Sequence, residues 1–169
     1  MTKPPTLKLI EPPPLKSRSG FLAAVNWSVR AAIATDSRQM GWIDADFADW
    51  PLNDAALLQS LGVWLQMPQR KLVLLARNYT MASRVHPRFV TWRRHWGHAI
   101  DPRALPEEEG ADPPTWLLVG HHAYVELFDR VHWRGHVALE PKRTHVLAHQ
   151  FDALAQRSSP DFPVTNLGL

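Results

Sequence analysis

From Ser28 to Arg157 the spacing of apolar side chains switches repeatedly between a helical and an extended period, which limits the chain to helices layered on a sheet. Ser28 to Arg38 reads as a helix. Met40 to Phe47 reads as a strand, with Ile43, Ala45 and Phe47 on one face and Trp42, Asp44 and Asp46 on the other. After a turn at Asp49-Trp50-Pro51-Leu52, with Asn53 as the expected N-cap, Leu57, Leu58, Leu61, Trp64 and Leu65 form one helical stripe. Lys71 to Arg77 is a short continuous apolar run, the pattern of a strand covered on both faces.

A helical region from Thr80 to Gly97 restarts at Pro87, a residue suited to a first helical turn. Ala99 to Leu105 reads as a strand, followed by an acidic, Pro-rich loop from Pro106 to Pro114. Thr115 to Asp129 reads as two strands broken near Gly120, Trp133 to Leu139 as another, and Arg143 to Arg157 as a closing helix. The β-α-β-α-β order at the front implies parallel strands joined by right-handed crossovers, and the later adjacent strands imply an antiparallel extension. The expected fold class is therefore α/β, a mixed and mainly parallel sheet flanked by helices.

The 169 residues suit one domain. Residues 1–20 hold five prolines and few apolar side chains, and predict an extended or disordered leader; 21–157 form the domain and 158–169 an irregular tail. Cysteine is absent, which excludes disulfides, thiol nucleophiles and thiolate metal sites. No apolar run reaches the ~20 residues of a membrane span, and the opening segment lacks a signal-peptide core, so a cytoplasmic protein without membrane insertion is expected.

A net charge of +3 is too small to imply nucleic-acid binding by itself, but the charge is unevenly spread. From Arg70 to Arg103 there are eight cationic residues and one acid, Asp101, while acidic stretches lie on either side. The expectation is that these segments pack together and cancel. Within the basic stretch, interleaved Arg and Trp around Arg88, Arg93 and Arg94 form a candidate surface for an anionic ligand or nucleic-acid phosphates. Helical spacing puts Phe89, Trp92 and Trp96 on the docking stripe, with Arg94, His95 and His98 towards solvent. Arg93 lies at the stripe's edge and needs a partner, for which Asp44 or Asp46 is expected.

His145, His149 and Asp152 have helical metal-ligand spacing, but they lie opposite the Leu147, Phe151 and Leu154 stripe and would form an exposed site without support. His95 and His98 share that weakness, and neither cluster contains the His-Glu-x-x-His arrangement. Asp44-Ala-Asp46 closes the first predicted strand, where open α/β sheets place ligands, and is the candidate pair for Mg²⁺ in phosphoryl transfer. Its spacing resembles the haloacid-dehalogenase-like nucleophile motif, but Phe47 and Ala48 stand where a Thr or Val usually follows. No Gly-x-Ser-x-Gly elbow occurs, and no cofactor is expected.

His122-Ala-Tyr-Val-Glu-Leu-Phe-Asp129, with the element order around it, resembles one half of a phospholipase D-like domain. It is similar to uncharacterised bacterial domains regarded as degenerate members of that fold. The family carries His-x-Lys, then an Asp four residues later, then Gly-Ser-x-Asn. Here His122 takes the His position, Tyr124 replaces the Lys and Asp129 takes the Asp; Gly135 lies near the family's Gly and His136 replaces the Ser. The resemblance implies that two such histidines from paired halves would act together on phosphorus, so one half per chain implies a homodimer. Tyr124 brings no positive charge to a phosphate near neutral pH. A non-catalytic interaction or ligand-binding module is therefore expected. The alternatives are a phosphoesterase using His122 and Asp129, or Asp44 and Asp46 with Mg²⁺, and nucleic-acid binding through residues 84–98.

Overall fold

The computed structural model describes residues 10–107 and 111–163. Residues 1–9, 108–110 and 164–169, which include the first nine residues of the expected leader and the end of the expected tail, lie outside the described residues. The elements are α1 (Arg18–Ala34), β1 (Gln39–Ile43), α2 (Ala55–Leu65), β2 (Lys71–Ala76), α3 (Thr80–Val85) and α4 (Pro87–Arg93). A 3₁₀ turn (Arg94–Trp96) follows, then β3 (Ile100–Ala104), β4 (Thr115–Val119), β5 (Ala123–Asp129), β6 (Arg134–Ala138), α5 (Pro141–Gln156) and β7 (Ser159–Pro160).

One seven-stranded sheet runs β6-β5-β4-β1-β2-β3-β7. It is mixed, as the element order predicts, but its balance differs from the expectation of a mainly parallel sheet. Only β1–β2 and β2–β3 pair in parallel, while the other four pairings are antiparallel. The reason is local. The tight turn after β4 and the short β5–β6 loop leave no room for crossover helices and make two hairpins, while β4 and β7 run antiparallel to β1 and β3 after longer connections.

Alternation along the strands builds two cores. Met40, Trp42, Leu72, Leu74, Leu117, Val119, Val125 and Leu127 face the layer of α1 to α4 and join the larger core. Ile43, Val73, Leu75, Leu118 and Tyr124 face α5, which covers them with Leu147, Ala148 and Phe151. Gly41 is required at that contact, because a Cβ there would lie 2.7 Å from the Phe151 ring.

The first helix starts ten residues earlier than its apolar spacing suggests, inside the stretch expected to be extended. Ser17 accepts the Gly20 amide as N-cap, and Pro12, Pro13 and Pro14 stop just short of it. The preceding segment is anchored: Trp27 Nε1 donates to the Ile10 carbonyl at 2.7 Å, and the Gly135 amide donates to the Leu15 carbonyl at 3.1 Å. Asp54, not Asn53, caps α2; the Asn53 side chain instead accepts the Arg88 amide. At the other end of the chain, β7 pairs with β3 across Arg103 and Ala104.

Candidate functional site

β5 determines where the His122, Tyr124 and Asp129 triplet falls. Gly120, at φ +52°, makes the turn out of β4, and its amide donates to the Gln39 carbonyl, which fixes the turn beside the start of β1. His121 and His122 stand exposed on that turn. Asp129 closes the same seven-residue strand at the opposite end of the sheet, about 20 Å away at the rise of an extended chain. The structure therefore brings His122 near Tyr124 and leaves Asp129 apart from both.

His122 lines an open cleft of about 310 Å³ between the β4–β5 turn, the start of β1 and α5, together with His121, Arg38, Gln39 and Asp152. Arg38 is the cation that sequence reasoning placed only as the end of a helix. It projects from the loop between α1 and β1, where Nη1 donates to Gln69 Oε1 at 2.9 Å. The His121 and His145 rings approach to 5.4 Å across the same region.

Tyr124 points from β5 into the core under α5 and is buried. Its hydroxyl shares a 2.7 Å hydrogen bond with Nδ1 of His136 on the neighbouring strand. Burial raises the Tyr124 pKa above the usual phenol value, and Glu140 and Glu126 raise it further. Beside it, Nη2 of Arg143 on α5 donates to both carboxylate oxygens of Glu126, at 3.1 and 3.2 Å.

At the far end, Asp129 is a turn residue. Oδ1 accepts the amides of Val131 and His132, and Oδ2 meets His132 Nδ1 at 2.8 Å. These bonds, with the His132 amide first, hold its pKa below the ordinary carboxylate value. Asp44 and Asp46 also lie at this end, just past β1. Asp44 is buried and its oxygens are occupied: Oδ2 accepts the amides of Asp46 and Phe47, while Oδ1 accepts from Thr115 Oγ1 and meets Arg130 at 3.2 Å. Asp46 accepts the Ala48 amide. The crevice beside the pair, about 30 Å³, already contains the Arg130 cation. The arrangement holds Phe47 at φ +60°, a conformation that costs a non-glycine residue energy unless its neighbours enforce it.

Arg93 is buried but not partnered by Asp44 or Asp46, which corrects the expectation. Its guanidinium donates to the Phe162 carbonyl and lies 4.2 Å from that ring's centre. Burial lowers its pKa, with Tyr79 opposing. Phe162 stacks in turn on Tyr79. Phe89 is buried and Trp92 and Trp96 pack against the core, as the spacing predicts, leaving Arg88, Arg94, His95 and His98 exposed. His145, His149 and Asp152 are likewise exposed on α5. Among the described residues no group of three or more potential ligands is arranged to hold a metal ion. No described helix is long and apolar enough to cross a membrane.

A further cavity, about 760 Å³, opens at the carboxyl ends of β2 and β3. Arg77 crosses it and is engaged with the Ala111 carbonyl and with Asp112.

No protein-family model matches the sequence, and no curated protein matches it. Solved structures do. A phospholipase D family member, Nuc from Salmonella typhimurium, superposes with a TM-score of 0.55 at 9% identity, covering 83% of this chain and 91% of that one. TrmBL2, an archaeal chromatin protein described with a novel mode of DNA binding, gives a TM-score of 0.56 at 9% identity, covering 86% of this chain and 52% of that one. At such identity the likeness shows the fold. The chain has a phospholipase D-like fold, a mixed sheet between helical layers.

Proposed function

We infer that this chain is a non-catalytic interaction or ligand-binding module on a degenerate phospholipase D-like scaffold. One observation carries the reading: the two residues that depart from the family motif, Tyr124 for Lys and His136 for Ser, are bonded to each other at 2.7 Å. A buried phenol with a raised pKa stays neutral and supplies no cation to a phosphate in the transition state. Loss of one such electrostatic donor commonly slows a reaction by about 10²–10³. Asp129, the third motif residue, is used to close a turn at the other end of the strand.

Arg38 is the cation that lines the His122 cleft, whereas Arg143, the cation beside Tyr124, is paired with Glu126. The cleft is open and Arg38 is held by Gln69. That combination supports binding a small anion without the enclosed, charge-complementary site that hydrolysis needs. Pairing into a homodimer, membership of a degenerate bacterial group and residence in the cytoplasm remain parts of this proposal. Light scattering that finds only monomer at micromolar concentration contradicts the dimer.

Hydrolysis of bis(4-nitrophenyl) phosphate and 4-nitrophenyl phosphate, with and without Mg²⁺, tests the reading. The expected rate equals that of buffer. Turnover that His122→Ala abolishes overturns it in favour of the phosphodiesterase, and turnover lost in Asp44→Asn overturns it in favour of the Mg²⁺-dependent enzyme.

A further inference from the structure

The basic segment cancels against acids only in part. Arg70 pairs with Asp36, Lys71 and Arg103 with Asp101, and Arg77 with Asp112. Asp44 is consumed by Arg130 at the other side of the sheet's end. Arg84, Arg88 and Arg94 remain exposed, with no ion pair among the described residues.

These three arginines lie on α3, α4 and the 3₁₀ turn, within a stretch that contains no acid at all: between Asp54 and Asp101 the sequence has neither Asp nor Glu. α2 belongs to that stretch and packs with α4, and the acid at the Arg88 end of this face is Asp54, which caps α2 next to the Asn53 side chain that accepts the Arg88 amide. Arg88, Thr91 and His95 recur at helical spacing on the exposed side, with Arg84 just before them and Arg94 beside His95. Along the border, half-buried Trp92 and Trp96 lie 6.1 Å apart between ring centres, and Trp96 lies 6.3 Å from His98.

We propose that the face formed by α3, α4 and the 3₁₀ turn binds the phosphate backbone of a nucleic acid through Arg84, Arg88 and Arg94. This deepens the interaction-module reading and rests on it, by giving the partner's chemical class. Three features favour nucleic acid. All three cations are arginine, whose planar fork matches a phosphate. The bordering rings offer a place for bases to stack. Among the described residues the large apolar groups exposed on these helices are Met81 and Val85, at 40% and 41%, with Val63 of the adjoining α2, which is little surface to insert into a lipid layer. The face lies on the α1–α4 side of the sheet, away from the α5 side that carries the His122 cleft.

Fluorescence anisotropy of the full chain with labelled single-stranded and duplex DNA, measured across a salt series, tests the proposal. The triple variant Arg84→Ala, Arg88→Ala, Arg94→Ala is compared with an equal-charge control, Arg30→Ala, Arg134→Ala, Lys142→Ala, drawn from exposed positions elsewhere. Wild type and control are expected to bind with a log–log salt slope of about −2 to −3, as for roughly three neutralised phosphates, and the triple variant to lose at least about tenfold at low salt. Equal weakening in the control, or no binding by wild type at low salt, overturns the proposal. So does binding only to anionic phosphatidylglycerol vesicles. Cleavage of the bound DNA would refute the non-catalytic reading while leaving the binding face standing, so the two failures are distinguishable.

Discussion

Tyr124 on β5 and His136 on β6 share a 2.7 Å hydrogen bond along the diagonal of the ladder, since the residues directly opposite them are Ala138 and Glu126. The two strands are thereby joined through side chains as well as backbone, at the edge of the sheet.

Tyr124→Phe keeps the buried ring and removes only this bond. The expected cost is about 1 kcal/mol, or a fall of about 2–4 °C in Tm for a chain of this size. Differential scanning calorimetry checks it. No change in Tm would mean that the bond adds nothing to folding.

The chain has two tyrosines, and burial raises the pKa of both Tyr79 and Tyr124 above the usual 10.0. The sign follows from linkage. Above pH 10 the unfolded phenols lose protons that the folded ones retain, so the unfolded state is favoured as pH rises, while below pH 10 the contribution is fully present. Tyrosinate absorbance at 295 nm should therefore rise at higher pH in the folded chain than in the urea-unfolded chain. Ionisation near pH 10 in a chain that is still folded would contradict this.

Asp44 satisfies the amides of Asp46 and Phe47, the Thr115 hydroxyl and Arg130 while holding Phe47 at positive φ. Asp44→Ala should cost about 3 kcal/mol in urea unfolding, because those donors lose their acceptor. Millimolar Mg²⁺ should leave the wild-type Tm unchanged. A Mg²⁺-dependent rise that Asp44→Asn removes would restore the metal reading.

Arg93 and Phe162 tie the end of the chain to α4. Removing residues 159–169 strands a buried guanidinium and uncovers Tyr79, so it should destabilise more than Arg93→Met, which fills the space without a charge. Thermal denaturation of the two variants gives the order, and the reverse order would contradict the anchoring role.

What the sequence disclosed follows from how local each cause is. The stripe from Leu57 to Leu65, the apolar run at Lys71 and the restart at Pro87 depend on residues a few positions apart, and each became the element expected. The early start of α1 escaped because Ser17 caps a helix whose first turn carries Arg18, Ser19 and Gly20 and so shows no apolar stripe. β1 stops at Ile43 because Asp44 folds back on the amides ahead of it, which an alternating pattern through Phe47 conceals. Arg93's partner is a carbonyl 69 residues away, which no spacing encodes. The substitutions at Tyr124 and His136 were visible singly, but their bond depends on the β5–β6 register, itself shifted by an irregularity between Leu127 and Asp129.

Tyr124 and His136 satisfy each other and supply no charge to a phosphate. Nitrogen-15 spectra of the histidine rings, recorded with and without inorganic phosphate and repeated in Tyr124→Phe, test it most directly. His136 Nδ1 should shift when Tyr124 loses its hydroxyl and be unmoved by phosphate, with any phosphate response confined to His121 and His122. A His136 ring indifferent to Tyr124→Phe, with His122 and His136 moving together as phosphate is added, would contradict it.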